Sequence, residues 1–233
     1  MKISIHQAEH FPWLGFFDKM KLADLFVILD HVQFTKNNFQ NRNRIRNKLN
    51  DVNWLTIPVE DKSASQKSIS TIGISKNIEW QKLYLEKVRH FYVGTRHFND
   101  IFPHLQEIIQ SKDFTLFEIN MKIIQFIREF LNITTPMISS SSLFLGEKKS
   151  EMIVEICNKL KANIYISGMG GKQYLNQDLF IAEKIEVIYR NADNLLPYCT
   201  FDQTIMSSLD TIMRFGPDIG NSLGLELGSS ELL

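Results

Sequence analysis

The stretch from Val32 to Lys48 holds the densest set of residues suited to ligand chemistry. It has no acidic residue, and asparagines lie among its five bases, which are Lys36, Arg42, Arg44, Arg46 and Lys48. Fixed cations beside amide groups suit a ligand that carries phosphate or carboxylate oxygens together with hydroxyl groups. The whole chain has 26 basic and 26 acidic residues, so this excess of charge is local. The alternative is a basic strand or loop that is simply solvated.

Three further groups of polar or glycine residues directly follow predicted strands. They are His6-Gln7, Asp30–Gln33 and Gly168–Gly171. In an open parallel sheet, ligands bind outside the carboxyl ends of the strands, at the point where the strand order reverses. The sequence therefore predicts that the three groups converge on one rim of the sheet.

Two ionisable residues on this rim are candidates for catalysis. His6 could transfer a proton or stabilise an oxyanion, and Asp30 could bind a sugar hydroxyl or orient a base. The alternatives are a histidine bonded to backbone at a strand end and an aspartate that caps a turn. We predict no metal site, because a strand-to-helix turn separates His6 from His10.

The glycine group follows a predicted strand and precedes a helical turn predicted to open at Lys172. Backbone N–H groups exposed by glycine at such a point can bind phosphate. The sequence matches neither the P-loop nor the GxGxxG pattern, and a tight turn without a ligand is the alternative. The predicted substrate-binding residues are Gln7, Trp13, Gln33, Lys36, Asn41, Arg42, Asn43, Arg44, Gly168, Gly170, Gly171 and Lys172.

Nucleophilic catalysis by cysteine or serine is not expected. Cys157 lies on the apolar side of a predicted helix, and Cys199 lies in a predicted loop without a nearby activating base. No GxSxG or HExxH pattern is present.

The first sixty residues predict a β-α-β unit followed by a hairpin. Lys2–His6 reads as a short strand, and the continuous apolar run Leu25–Leu29 is typical of a strand buried on both faces. A short helix between them implies parallel pairing with a right-handed crossover. The segment from Val32 to Lys48, called the Arg/Asn stretch below, is expected to pair with Asn53–Val59 as one arm of a hairpin.

The remainder predicts a helical insertion and a second α/β segment. Residues 61–76 are expected to be a loop, and helical patterns cover about 77–92, 99–111 and 114–132, within an insertion at 76–133. Strands are predicted at Met137–Ser140, Asn163–Ser167 and Lys184–Tyr189, with helices at Ser150–Lys161 and from Phe201 to about Arg214, and a loose tail at 215–233. The expected fold is one α/β domain over residues 1–233, with an open, mostly parallel Rossmann-like sheet and helices on both faces.

The composition excludes several classes of protein. The net charge of zero argues against a general nucleic-acid binder. No segment has the length of a membrane span, and the N-terminus has no signal-peptide pattern, so we expect a soluble, cytoplasmic protein. The sequence identifies neither a cofactor nor an oligomeric state.

A set of short motifs lies along the chain, at Ile5-His6-Gln7, Phe11–Lys19, Ala23–Asp30, Val32-Gln33-Phe34, Lys36, Asn41–Ile45, Trp54–Val59, Tyr165–Gly168, Gly171-Lys172 and Tyr174-Leu175. Together these motifs make the chain resemble the WbqC-like protein family. The chain departs from the family pattern at Ala8 and His10, where the family has Pro and Tyr, and at His31, where it has a second Asp.

The resemblance implies a role in making O-antigen and other bacterial surface polysaccharides. It implies transfer of an acyl or aminoacyl group, such as glycyl, to a nucleotide-linked dideoxyamino sugar, with an acyl or aminoacyl carrier protein as a candidate partner. Two alternatives stay open: an ATP-dependent adenylate-forming or nucleotidyltransferase-like enzyme, and a non-catalytic module that binds a sugar nucleotide.

Overall fold

The computed structural model describes residues 1–60, 67–76, 79–111 and 115–225. The strands are β1 (Lys2–Gln7), β2 (Leu25–Leu29), β3 (Arg42–Arg46), β4 (Val52–Thr56), β5 (Met137–Ser139), β6 (Ile164–Gly168), β7 (Glu186–Arg190), β8 (Thr200–Phe201) and β9 (Thr204–Ile205). The α-helices are α1 (Leu14–Leu22), α2 (Trp80–Tyr92), α3 (Phe98–Gln110), α4 (Leu116–Phe130), α5 (Lys149–Lys159), α6 (Gln177–Ala182), α7 (Leu196–Cys199) and α8 (Ser208–Phe215).

A five-stranded sheet forms the centre of the molecule, in the order β5-β2-β1-β6-β7. All neighbouring strands pair in parallel. The chain moves outward from β1 to β2 and β5 on one side, and then returns to β6 and β7 on the other. The strand order therefore reverses between β1 and β6, as in a doubly wound sheet. This arrangement confirms the predicted parallel, Rossmann-like α/β fold.

Alternating side chains divide the sheet between two apolar cores. Ile3 and Ile5 of β1 join Val27 in a core with residues of α5 and α6. Phe26 and Ile28 of β2 face the opposite core, which includes residues of α1 and of the helical insertion. Because successive side chains of a strand point to opposite faces, His6 lies on the α1 side of the sheet.

The helical insertion and the hairpin agree with their predictions. Helices α2, α3 and α4 lie between β4 and β5, and a capping box between Thr115 and Glu118 begins α4. Strands β3 and β4 pair in antiparallel register, with Arg44 opposite Trp54. The predicted helical residues 77–78 and 114 lie outside the described residues.

Two predicted segments differ from the structure. Residues 200–205 form the short β8–β9 hairpin, so the helix predicted from Phe201 begins only at Ser208. The tail predicted to be loose from residue 215 forms a 3₁₀ helix at Pro217–Ser222 and buries Ile219 and Leu223. These two apolar side chains pack into the main core, which explains the order of this segment. Residues 226–233 lie outside the described residues.

The predicted loop at 61–76 is described only from Lys67 onward, where it includes a 3₁₀ turn at Ile69–Thr71 and buries Ile69 and Ile72. No helix in the described part of the chain is long and apolar enough to cross a membrane.

Candidate functional site

A cavity of about 430 Å³ opens at the point where the strand order reverses. The ends of β1, β6 and β7 form its walls, together with α1 and the turn that follows β6. Open α/β sheets bind ligands at this position because the crossovers diverge there and leave a crevice. The lining residues are Ile5, His6, Trp13, Gly15, Lys19, Tyr165, Ser167, Gly168, Met169, Gly170, Gly171, Tyr174, Arg190, Asn191, Ala192, Asp193, Leu196 and Ile205.

His6 presents a hydrogen-bond acceptor to this cavity. Its Nδ1 lies 3.1 Å from the carbonyl oxygen of Gln7. A carbonyl only accepts, so Nδ1 carries the proton and Nε2 retains a lone pair. The ring packs edge-on against Phe16 of α1, with ring centroids 5.2 Å apart. Burial, followed by the charge of Lys19, lowers the pKa of His6 to about 3, so the imidazole is neutral at physiological pH.

Trp13 and Lys19 are placed in the cavity by the geometry of α1. The Trp13 ring lies directly over Gly15, where a Cβ atom would come within 2.2 Å of the ring. Glycine is therefore required at residue 15 for Trp13 to take this position. Lys19 lies four residues after Gly15, on the same face of the helix.

Lys19 and Glu9 are buried ionisable residues beside His6. Lys19 is 7% exposed and Glu9 is 8% exposed. Burial lowers the pKa of Lys19 to about 8, against the opposing influence of Glu9 and Asp18. Burial raises the pKa of Glu9 to about 7, although Lys19 and a hydrogen bond with Gln7 oppose the rise. Both groups therefore titrate within reach of neutral pH.

A buried ion pair closes the far side of the cavity. Arg190, at the end of β7, donates from Nε to Asp18 Oδ2 at 2.5 Å and from a second guanidinium nitrogen to Oδ1 at 3.1 Å. The backbone N–H of Gly224 donates to the same Oδ1. Asp18 thus has its oxygens occupied, and α1 is fixed to the opposite edge of the sheet.

The glycine turn after β6 lines the cavity mainly with backbone atoms. It is a 3₁₀ turn over Met169–Gln173, which begins three residues before the helical turn predicted to open at Lys172. A Cβ atom at Gly168 or Gly170 would meet nothing within 4 Å, so both residues leave open space. Gly171 is different, because a Cβ atom there would lie 2.1 Å from the Ser167 hydroxyl.

The two faces of β3 separate the amides from the cations of the Arg/Asn stretch. Asn43 points inward and donates to the carbonyl oxygens of His10 and Phe11. Asn41 is also buried and donates to the carbonyl of Ile57. We predicted that these amides and the arginines would bind one ligand together. Strand alternation instead places the amides beneath the strand, where they hold backbone.

The outward face of β3 carries a stack of cations and aromatic rings. The guanidinium carbons of Arg42 and Arg44 lie 4.1 Å and 4.9 Å from the Trp54 ring centroid. Among the described residues, neither arginine forms an ion pair with a carboxylate. Arg44 lies 3.4 Å from the carbonyl of Ile205, which itself lines the cavity. Arg44 therefore lies beside the cavity mouth rather than within it.

Asp30 is turned away from the cavity toward the turn after β5. It accepts hydrogen bonds from the Ser140 hydroxyl and from the backbone and hydroxyl of Ser141. Burial favours the neutral acid, but these hydrogen bonds hold the pKa of Asp30 below its ordinary value. The contacts agree with the turn-capping alternative for Asp30 and give it no contact with the cavity.

Five of the predicted site residues are thus brought together, and the others lie elsewhere. The cavity is lined by the predicted residues His6, Trp13, Gly168, Gly170 and Gly171. The predicted residues that do not line it are Gln7, Asp30, Gln33, Lys36, Asn41, Arg42, Asn43, Arg44 and Lys172. Gln7 accepts a hydrogen bond from the buried Gln40, and Lys172 lies over the Tyr189 ring.

Four buried charged residues at the site were missed by the sequence reasoning: Glu9, Asp18, Lys19 and Arg190. One signal was available, because Asp18 and Lys19 stand between the apolar residues Phe17 and Met20. The sequence reasoning also placed Cys199 in a loop, whereas it is buried at the end of α7, and burial raises its pKa to about 11.

In the part of the chain that the structure describes, no cluster of His, Cys, Asp and Glu is arranged to hold a metal.

A larger but more open recess lies between α2 and α3 on the surface of the insertion. It has a volume of about 530 Å³, and its lining includes Arg89, Phe102, Gln106 and Gln110. The cavity at the sheet is the stronger candidate, because buried ionisable side chains converge on it.

The comparisons with known proteins agree with the fold and the motifs. A family model described as the WbqC-like protein family matches residues 7–221. An uncharacterized protein of Mycobacterium tuberculosis (strain ATCC 25618 / H37Rv), Rv1507c, is 29% identical over 198 residues, which cover 84% of this chain and 85% of the relative. No solved structure gives a significant match. Because the family model spans most of its length, the chain belongs to the WbqC-like protein family.

Proposed function

We propose that the protein is a transferase that attaches an acyl or aminoacyl group, such as glycyl, to the amine of a nucleotide-linked dideoxyamino sugar. The observation that carries this proposal is the orientation of His6 in the cavity at the strand-order reversal. Its Nδ1–H is held by the Gln7 carbonyl, and its Nε2 lone pair is available to a ligand. A neutral imidazole with a free Nε2 can accept the proton that an amine loses during acyl transfer, because the negative charge that develops on the tetrahedral intermediate would raise the lowered pKa of His6.

The reaction needs one base and one site for developing negative charge. The neutral sugar amine attacks the acyl carbonyl and forms the C–N bond, which gives a tetrahedral intermediate. The bond from the carbonyl carbon to its leaving group then breaks. The amine proton passes to His6 Nε2 and then to the leaving group. The turn at Gly168–Gly171 lines the same space, and its backbone N–H groups would stabilise the tetrahedral oxyanion.

The nucleotide end of the substrate is proposed to lie toward the cavity mouth. Trp13 offers a flat ring for stacking against a base or sugar. Arg42 and Arg44, with the exposed Lys36, would bind the diphosphate, because the two guanidiniums lack carboxylate partners among the described residues. The acyl donor would be a small activated acid or a carrier-bound acyl group, and we place the reaction in the cytoplasm during the making of surface polysaccharide.

The test is direct incubation of the purified protein with nucleotide-linked dideoxyamino sugars and candidate acyl or aminoacyl donors. Mass spectrometry should show a sugar nucleotide heavier by the acyl group. His6→Asn retains an N–H donor near the position of Nδ1 but has no Nε2, so product formation should fall by about 10²–10⁴-fold. His90→Asn, at an exposed position of α2, is the matched control and should retain full turnover. Undiminished turnover by His6→Asn would remove His6 from the mechanism.

A second candidate function is ATP-dependent adenylate formation or nucleotidyl transfer. The favouring observation is that Gly168 and Gly170 open toward the same cavity as His6, which suits a triphosphate bound between them. Release of pyrophosphate that depends on both ATP and a carboxylic acid would support this candidate. A protein that binds no ATP would exclude it.

A further inference from the structure

Lys19 is a buried cation whose hydrogen-bonding capacity the protein does not use. Its side chain is 7% exposed and lines the cavity. Within the described residues, no acceptor lies within hydrogen-bonding distance of Nζ and no carboxylate lies within ion-pair distance. Nζ is not among the fully enclosed polar atoms that lack a partner, so the ammonium group reaches the cavity, where a ligand can supply the acceptor that the described residues do not.

The charged groups around Lys19 do not neutralise it. Asp18, its neighbour on α1, is held by two hydrogen bonds from Arg190 of β7 and by the backbone of Gly224. His6 of β1 is neutral. Glu9, which follows β1, has its pKa raised to about 7 by burial, so it is only partly ionised near neutral pH. Among the described residues, no carboxylate is therefore committed to Lys19 as an ion-pair partner.

We infer that Lys19 binds an oxyanion of the ligand at the floor of the cavity. The ammonium group offers three donors in a space shielded from water, which suits a phosphate or a carboxylate oxygen. Such an oxygen would come either from a phosphate of the sugar nucleotide or from the carboxyl group of an amino-acid-derived donor. The inference rests on the proposed function in one respect, namely that this cavity is the ligand site.

The experiment measures how two simple anions stabilise the full-length protein. Sulfate stands in for phosphate and acetate for carboxylate, and sodium chloride at matched ionic strength gives the baseline. In the wild type at pH 7, at least one of the two anions should raise the melting temperature above the chloride baseline. Stabilisation by sulfate alone would indicate a phosphate partner, and stabilisation by acetate alone would indicate a carboxylate partner.

The variant Lys19→Met removes the charge and keeps most of the side-chain length. Its affinity for the stabilising anion should fall roughly ten- to a hundredfold, as expected for the loss of a charge-assisted hydrogen bond. The control Lys82→Met, at a position 67% exposed on α2, should bind the anion like the wild type. If neither anion stabilises the wild type, or if Lys19→Met binds as tightly as the wild type, the inference is overturned.

A purely structural role for Lys19 predicts a different result for the unliganded protein. If Lys19 is a ligand anchor, Lys19→Met should melt at the same or a higher temperature than the wild type, because an unpaired buried charge is replaced by an apolar group. A marked fall in melting temperature would indicate a structural lysine and overturn the inference.

The wild type supplies an independent readout where the variant fails to fold. Sulfate and acetate both stay ionised above pH 6, whereas the pKa of Lys19 is lowered by burial to about 8. The anion-induced rise in melting temperature should therefore shrink as the pH is raised from 7 to 10, and a constant rise would overturn the inference. Acyl transfer that persists in Lys19→Met would also overturn the inference and leave the proposed function intact. Anion binding at Lys19 without any acyl transfer would support the inference and count against the proposed function.

Discussion

Asp18 of α1 and Arg190 of β7 form a bidentate ion pair that is almost completely buried, with side-chain exposures of 0% and 4%. The pair lies beside the cavity at the strand-order reversal, because Arg190 lines this cavity and Asp18 precedes the lining residue Lys19 on α1. It fixes the helix that carries Lys19 and the loop that carries Trp13. The positions of Lys19 and Trp13 therefore depend on an ion pair whose own charged groups are already bonded to each other.

Breaking this pair should destabilise the whole domain. Asp18→Asn leaves the Arg190 guanidinium buried without its counter-ion, and such losses are about 3–5 kcal/mol. Chemical denaturation monitored by circular dichroism measures the change in the free energy of unfolding. Asp100→Asn, at a position 66% exposed on α3, is the control and should change the stability by less than about 0.5 kcal/mol. A change for Asp18→Asn as small as that of the control would show that the pair contributes little.

Substitution of the glycines in the turn after β6 should have two different effects, one on stability and one on ligand affinity. Gly171→Ala places a methyl group 2.1 Å from the Ser167 hydroxyl, so the turn must shift and the melting temperature should fall. Gly170→Ala places its methyl group in open space, so the melting temperature should be unchanged while sugar-nucleotide affinity falls as the cavity narrows. Thermal denaturation and calorimetric titration of the two variants provide the comparison. Equal melting temperatures would contradict the close packing at Gly171.

The two faces of β3 should respond differently to substitution. Asn43→Ala removes the amide that donates to the carbonyl oxygens of His10 and Phe11, and among the described residues only the Phe11 carbonyl keeps another donor, the Ser208 N–H at 3.4 Å. The substitution should cost about 1–3 kcal/mol of stability. The double variant Arg42→Gln with Arg44→Gln should keep most of its stability and bind sugar nucleotides at least tenfold more weakly, because a charge-assisted contact is lost.

The control for this arginine pair is Arg96→Gln, which changes an arginine between α2 and α3 that is not part of the stack of Arg42 and Arg44 on Trp54. It should bind sugar nucleotides like the wild type. If the arginine double variant also retains full affinity, the outward face of β3 does not bind the diphosphate.

Acid should destabilise the protein through its buried histidines. Burial lowers the pKa of His10 to about 4, while its ring nitrogens hydrogen-bond Asn120 and Tyr84. In the unfolded chain, His10 takes up a proton as the pH falls through 6.5, whereas in the folded chain it stays uncharged until the pH approaches 4. The stabilisation is therefore complete above pH 6.5 and is lost as the pH falls toward 4, by an amount on the order of 3 kcal/mol. Glu9 acts in the opposite sense, since its raised pKa makes the folded state less favourable as pH rises from 4.5 to about 7.

Comparison of variants isolates the contribution of His10. His10→Gln should start from a lower stability at pH 7 but lose less of it between pH 7 and pH 4, as measured by urea unfolding at each pH. His90→Gln, at an exposed position, should follow the wild-type pH dependence. An acid loss in His10→Gln that equals the wild-type loss would contradict the burial of an uncharged His10.

The fold was predictable because its signals are local. The apolar run Leu25–Leu29 has the composition of a doubly buried strand, and the strand-end positions of His6 and of the glycine turn predicted that they lie at one rim of the sheet, where the cavity opens. The buried charges were not predictable in the same way. Helical periodicity alone does not show that Lys19 lines the cavity at the strand ends, since its position depends on how α1 packs across β1 and β6.

The Arg/Asn stretch shows a different limit of sequence reasoning. Its composition correctly predicted a hairpin, but composition does not distinguish the two faces of a strand. The period of two separates Asn41 and Asn43 from Arg42 and Arg44, and only the packed structure shows which face is buried. The amides stabilise the hairpin base, and the arginines are left available for a ligand.

The most direct measurement is an experimental structure of the protein with a bound nucleotide-linked dideoxyamino sugar. We predict that the sugar amine lies within about 3.2 Å of His6 Nε2, the reach of a general base, and that the diphosphate extends toward Arg44 at the cavity mouth. A sugar nucleotide bound in the recess between α2 and α3, or on the hairpin with the cavity left unentered, would contradict the assignment of this cavity as the active site.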